Sequence, residues 1–328
     1  MSDVKEMVKS VSRTFALSIQ NLPKNIRLPV SLSYLLFRVS DCVEDNPDLA
    51  FDQKEEILQI WSQVLLDKEC PNVFTSQIVH LDPTDPEVSV AQKAQELIGI
   101  LHTFQPELQE LIVQHCVSST LGMAKWQRLG PSIQTEDDLD DYMFYVAGLV
   151  GYLMTDIFAF FLSSIRKAKF SLLPLARQVG LGLQTVNIIR GLRADYKRGW
   201  MFVPESYLFW EGISREQFFL TEFEDKALLV INRLTNKAEK HLKFGLDYIS
   251  AFPIWMHRVR LSCIWPLFFA IKTLAVSQDN PEVIRSEVKI SRSEVIDIMR
   301  STTLLGWSNY WLQRYYNKLS ISTLNSLS

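Results

Sequence analysis

Apolar residues recur along the chain at steps of three and four, the spacing that gathers them on one face of an α-helix. Leu97, Leu101, Phe104, Leu108, Leu111 and Ile112 follow it, with Pro106 marking a break between two helices. Ser291-Arg292-Ser293-Glu294 has the form of a capping box opening the last helix, and Ser214 to Gln217 reads as another. The pattern predicts helices near 3–20, 26–45, 52–66, 86–104, 107–128, 136–164, 170–196, 215–248, 254–276 and 292–317. Strand-like alternation bounded by turns is absent. With no repeat, linker or shift of composition, residues 1–328 read as a single all-α domain.

One stretch, Tyr142 to Ser164, is apolar for long enough to span a bilayer. Asp156 stands inside it, at a cost of roughly 2.5–3.5 kcal/mol for a charge at a membrane-helix centre. A helix apolar nearly all round also suits the centre of a bundle, and that is the reading taken. Met1 to Ser10 shows no apolar run of the signal-peptide kind, and the polar tail Ser320 to Ser328 is expected to anchor nothing.

Composition narrows the function classes. The chain has 19 Phe, 10 Tyr and 8 Trp, which excludes a disordered protein. Its 34 basic and 37 acidic residues leave no excess charge for nucleic acid, so any anion site must be local. Cys42, Cys70, Cys116 and Cys263 are scattered without zinc-like spacing and read as reduced thiols of a cytoplasmic protein. The five histidines lack partners at ligand or triad spacing and are assigned to structure, and Trp255, Trp265, Phe268 and Phe269 to the core. No glycine-rich dinucleotide loop is present, so NADPH use is left open, as is oligomeric state.

Two segments carry candidate chemistry. Asp41 and Asp45 stand four apart at the end of a helix that Asn46-Pro47 terminates, so both carboxylates share one face. Carboxylates there oppose the helix dipole at about 0.3–1 kcal/mol each. A hard cation bridging to phosphate would justify the arrangement, with Arg38 one turn back able to reach the same anion. On spacing alone, the pair is equally a cation site and a solvated acidic end. In the second segment Asn187, Gly191 and Asp195 fall at i, i+4 and i+8, again on one face. Two such faces opposed across a bundle would hold a diphosphate through shared magnesium ions.

The ordered set of motifs resembles the squalene/phytoene synthase family of head-to-head prenyl transferases. It comprises Ser12-Arg13-Thr14-Phe15, Arg38 with Asp41-Cys42-Val43-Glu44-Asp45, Tyr145-Val146-Ala147-Gly148-Leu149-Val150-Gly151, and Gln184 with Asn187-Ile188-Ile189-Arg190. A weaker match begins at Lys289-Ile290. The resemblance implies an isoprenoid (terpenoid) synthase fold, a helical bundle around a central cavity. It implies condensation of two farnesyl diphosphates to presqualene diphosphate or a C30 product such as squalene. By position, Asp41, Glu44 and Asp45 would hold magnesium, Asn187 and Asp195 would serve a second metal site, and Asp41, Asp45, Tyr145 and Asp195 would be catalytic. Arg13, Arg38, Gln184, Asn187 and Arg190 would bind substrate. A greasy product also implies transient, peripheral contact with a membrane surface.

The chain departs from the family pattern at its second motif. Squalene-forming members usually carry DxxED or DxxxD beginning four residues after the asparagine; here Gly191 and Ala194 replace two acids and Asp195 remains. Trp200 stands where the family has an arginine, with Arg198 upstream. Three alternatives follow: a one-substrate class I terpene synthase, a phytoene-type enzyme using geranylgeranyl diphosphate, and a non-catalytic member that binds lipid or a partner.

Overall fold

The computed structural model describes residues 2–320, apart from the side chains of Ser2 and Arg13. The substrate role expected of Arg13, and the tail beyond Ser320, therefore lie outside the described residues. The chain opens with α1 (Ser2–Val11), α2 (Arg13–Asn21), α3 (Lys24–Asp45) and α4 (Phe51–Leu65). It continues through α5 (Pro71–Ile78), α6 (Pro86–Ala91), α7 (Ala94–Leu101), α8 (Pro106–Leu129) and α9 (Glu136–Met143). A π-turn (Phe144–Gly148) precedes α10 (Leu149–Phe161), α11 (Ser163–Lys197), α12 (Glu205–Glu211) and α13 (Glu224–Ser250). The last helices are α14 (His257–Ser277), α15 (Glu282–Arg285), α16 (Arg292–Leu305) and α17 (Asn309–Leu319). Extended pairing among the described residues is limited to an isolated bridge between Ser132 and Met201.

The expected helices are present, and their breaks have local causes. The run predicted over 3–20 divides at Ser12, which turns extended and whose Oγ accepts from the Phe15 amide at 3.2 Å. The run over 292–317 divides at Gly306. The Ser291 capping box forms as expected, Ser291 Oγ accepting from the Glu294 amide while the Glu294 carboxylate accepts from the Ser291 amide. Ser214 and Gln217 exchange the same bonds but open only a short 3₁₀ turn, Gln217–Phe219.

The chain forms two compact units, one of residues 1–130 and 149–169, the other of 131–148 and 170–320 within the described range. In the first, α8 packs along α4, α10 and α3, and α3 against α6. Leu32, Leu35, Leu36, Val39 and Val43 of α3 are fully buried, and Trp61 of α4 packs on Phe74 of α5. In the second, α13 packs on α14, which also contacts α16 and α17. There Tyr142, Trp200 and Phe202 form a three-ring cluster, Phe202 lying 4.5 Å from Tyr142 and 5.0 Å from Trp200 between ring centroids.

Two helical runs, Glu136–Phe161 and His257–Ser277, are long and apolar enough to cross a membrane. Each carries a charge partnered by other groups of the protein. Asp156 receives His115 Nε2 at 2.9 Å and Lys169 Nζ at 2.7 Å. Arg260, fully buried on α14, donates to the carbonyls of Ile249, Phe252 and Gly306 and to Asn309 Oδ1. Such internal compensation is what a core helix requires. The expected aromatic core needs one correction: Trp265, Phe268 and Phe269 are buried, but Trp255 is 79% exposed. It sits in the turn after Pro253, before α14 begins.

Arg260→Ala would remove the guanidinium donor from three backbone carbonyls at once. The expected loss is about 3 kcal/mol or more, read from the urea unfolding midpoint, with Arg260→Lys recovering part of it.

Candidate active site

Helix α3 brings the first acidic motif to its C-terminal turns. Arg38 and Asp41 are one turn apart and their side chains meet, Arg38 Nη1 donating to Asp41 Oδ2 at 2.8 Å. The other arm of the guanidinium pairs with Glu87. Glu87 opens α6, where Asp85 caps the helix by accepting from the Glu87 amide at 2.8 Å. Arg38 is thus clamped between two carboxylates, while its Nε, also buried, has no hydrogen-bond partner.

The carboxylates outnumber the cation. Burial pushes the Asp41 carboxyl up to about 7; Arg38 pulls against that shift, and Asp45 and Glu87 add to it. Glu87 is raised for the same first reason, burial. Glu44 lies on the buried side of α3, where its carboxyl meets Gln127 Nε2 at 3.4 Å and Lys54 donates to its backbone carbonyl. Burial, reinforced by Asp45 and Asp41, raises Glu44 well above an ordinary glutamate. Its side chain has a core environment, whereas Asp41 and Asp45 are half-buried.

No group of three or more His, Cys, Asp or Glu side chains is gathered for a metal among the described residues. Two oxygen-donor side chains are nevertheless what magnesium uses when substrate phosphate and water complete its octahedron. The unshared negative charge around Asp41 fits such a cation, and the unpartnered Arg38 Nε fits a phosphate oxygen.

In the second unit, α11 carries the second motif. Asn187 is exposed, and its Nδ2 lies 3.4 Å from Gln184 Oε1. Arg190 pairs with Glu287 at 2.5 Å, and Lys289 pairs with the same carboxylate. Like Arg38, Arg190 has a buried Nε without a hydrogen-bond partner. Asp195 is held by Arg198. The chain then leaves the helix through Gly199, whose φ of +88° suits glycine.

Gly191 has a specific neighbour. A Cβ built there would stand 3.0 Å from Asp195 Oδ2, so the Asp195 carboxylate leans back over the bare glycine. The surviving acid of the motif occupies room that a side chain at 191 would need. Trp200, at the position of the missing arginine, is buried in the stack with Phe202 and Tyr142. A core contact has replaced a charge.

Tyr145 lies in the π-turn, half-buried. Such turns widen a helix by one residue and recur at functional sites. Close packing on α11 holds this one: a Cβ on Gly180 would come within 2.5 Å of the Ala147 carbonyl oxygen, and one on Gly148 within 3.3 Å of Leu181 Cδ1. From sequence, Lys289 marks only the start of a weaker match, and Glu87, Glu287 and Gly180 were not singled out. Each meets its partner through tertiary packing, and no spacing rule links residue 38 to 87 or 190 to 287.

The profile of the Squalene/phytoene synthase family matches residues 8–294. The chain belongs to the squalene/phytoene synthase family. It is 33% identical over 306 residues to the squalene synthase of Nicotiana benthamiana, covering 90% of this chain and 69% of that protein. Against squalene synthase ERG9 of Saccharomyces cerevisiae the identity is 30% over 337 residues, covering 98% and 72%. A solved complex of TcSQS with the ligand BPH1237 superposes with a TM-score of 0.81 at 24% identity, covering 96% of this chain and 89% of that one. A dehydrosqualene synthase complex gives 0.61 at 16% identity, covering 92% and 95%. The fold is the all-α isoprenoid synthase fold, and the protein is a prenyl transferase of the squalene/phytoene synthase type. Its general reaction is head-to-head condensation of prenyl diphosphates.

The geometry of the family motifs supports two expected outcomes. Gly191→Ala should keep or raise thermal stability, since alanine is favoured in a helix by about 1 kcal/mol. It should also displace the Asp195 carboxylate and, with magnesium at the site as proposed below, raise the magnesium concentration needed for half-maximal turnover. An unchanged magnesium requirement would argue against a metal role for Asp195. The second outcome concerns pH. Asp41 titrates at about 7 when folded against 3.8 as a free side chain, so between those values the folded state binds the extra proton. Stability of the metal-free protein should therefore fall as pH rises through that window. Urea midpoints at about pH 5 and pH 8 should differ less in Asp41→Asn than in wild type.

Proposed function

We propose that the protein condenses two farnesyl diphosphates, in a magnesium-dependent reaction, to presqualene diphosphate and onward to a C30 product such as squalene. The carrying observation is Arg38, clamped by Asp41 and Glu87 with a buried N–H unspent, beside the Asp41–Asp45 pair. Arg38 donates to diphosphate oxygens from a position fixed before substrate arrives, so little reorganisation accompanies departure of the leaving group. Arg190 plays the same part on α11, exchanging its bond to Glu287 for the substrate anion, with Gln184 and Asn187 adding polar contacts. Magnesium, held by Asp41 and Asp45 and again by Asn187 and Asp195, would neutralise the charge that develops on the leaving diphosphate. The ring of Tyr145 is assigned to the reacting carbons. Glu44 supports Asp41 and Asp45 from the core.

A second reading rests on Gly191. With one carboxylate where relatives carry two or three, the first ionisation proceeds while the second is weakened, and the cyclopropylcarbinyl diphosphate or a hydroxylated derivative is released. NADPH is the reductant only for the squalene outcome, and no residue is assigned to it.

Incubation with farnesyl or geranylgeranyl diphosphate and magnesium, with and without NADPH, followed by mass spectrometry of products, separates these readings. A C30 product from farnesyl diphosphate is expected, and Asp41→Asn or Asp45→Asn should reduce turnover at least about tenfold with the fold intact. A cyclic or linear C15 product would favour the one-substrate alternative, and a C40 product the phytoene type. Full activity of both variants in magnesium would remove the metal assignment.

A further inference from the structure

The second unit exposes an apolar corner that the chemistry above does not use. Ile254 and Trp255, in the turn between α13 and α14, are 52% and 79% exposed. Leu304, Trp307 and Tyr310, around the junction of α16 and α17, are 72%, 50% and 73% exposed. The two turns are fastened side by side. His257 Nε2 bonds the Thr303 carbonyl at 2.8 Å, and Arg260 reaches Gly306 and Asn309 from beneath. Trp307 Nε1 donates to the Leu304 carbonyl, and the Arg314 guanidinium lies 5.9 Å from the Tyr310 ring centroid. The corner is rigidly built, not a frayed end.

Its charge pattern is equally specific. Residues 248–277 and 298–320 contain no Asp or Glu, in a chain with 37 of them, but include Arg258, Arg300, Arg314 and Lys318, all exposed. Asp247 on the last turn of α13 and Asp297, exposed on α16 just before the second segment, are the bordering carboxylates along the chain. Trp and Tyr are the side chains that settle at the headgroup level of a bilayer, and neighbouring Lys and Arg favour anionic headgroups. A second exposed group, Phe209 and Trp210 on α12, lacks this pattern, since Glu205 and Glu211 flank it in the same helix.

We propose that this corner is a membrane-docking surface, seating Trp255, Trp307, Tyr310, Ile254 and Leu304 in the interface of an anionic phospholipid bilayer. The occupant follows from charge complementarity: Arg258, Arg300, Arg314 and Lys318, outnumbering the bordering Asp247 and Asp297, surround amphipathic aromatics and match anionic headgroups over an acyl boundary. The orientation is favourable for a protein that handles both anions and hydrocarbon. Helix α13 runs from Glu224, which pairs with Arg285 near the Glu287 that holds Arg190, to the corner at its other end. At 1.5 Å per residue its 27 residues span roughly 40 Å. Docking by the corner leaves Arg190 in water.

The test is flotation of the purified protein with vesicles of phosphatidylcholine alone or containing about one-third phosphatidylglycerol. Wild type should float with the anionic vesicles, less so at high salt. Trp255→Ser/Trp307→Ser should bind at least about tenfold more weakly, while Trp210→Ser matches wild type. Trp255→Ser alone, at an exposed turn position, guards against misfolding, with helical circular dichroism as the check. Tryptophan fluorescence should be quenched by brominated lipid in wild type and less in Trp255→Ser. Equal flotation of wild type and the double variant, or no flotation of wild type, overturns the proposal. So does a wild-type dimer that the substitutions dissociate without any vesicle binding, which would make the corner a protein interface. Turnover of farnesyl diphosphate without vesicles is measured separately, so failure of docking and failure of the catalytic reading are distinguishable.

Discussion

Arg38 is the constraint around which the first unit's chemistry is arranged. One guanidinium, half-buried at the end of α3, answers Asp41 on its own helix and Glu87 on another. A single positive charge between two carboxylates, with Asp45 beside them, leaves net negative charge in a setting that resists it, and the raised proton affinity of Asp41 follows. A protein selected for stability alone would dilute that cluster. Its place at the end of a helix, on the wrong side of the dipole, is a cost that the proposed cation would offset.

The second motif shows the same logic with fewer charges. Where the family pattern expected from the resemblance has more carboxylates, this chain has a bare position and the next acid leans into it. The arginine that would follow has become Trp200, held in an aromatic stack, while Arg198 now pairs with Asp195. Charge has been moved along the helix and partly exchanged for packing.

Much of this was legible in the residue order because helices advertise themselves locally. Asp41 and Asp45, or Asn187 and Asp195, are related by spacing on one helix, and spacing survives folding. The Ser291 capping box is equally local and formed as read. What was not legible came from packing between segments. Glu87 comes to Arg38 across some fifty residues, and Glu287 to Arg190 across nearly a hundred. The π-turn at Tyr145 depends on Gly180 of another helix. Glu44 falls within the acidic motif by position, yet its side chain turns to Gln127. Trp255 looked like core because its composition matches its neighbours, whereas its place in a turn decides its exposure.

Arg260 has no carboxylate counter-ion among its hydrogen-bond partners. Those partners include the carbonyls of Ile249 and Phe252, where α13 ends, and of Gly306, where α16 ends. Each helix brings about half a negative charge at that terminus. Two such ends amount to roughly one unit of charge, enough to balance a guanidinium. Backbone dipoles therefore do the work of an acid, and they neither titrate nor exchange with salt. The Arg260 anchor is expected to hold across pH and ionic strength, and it needs no formal negative charge among its partners.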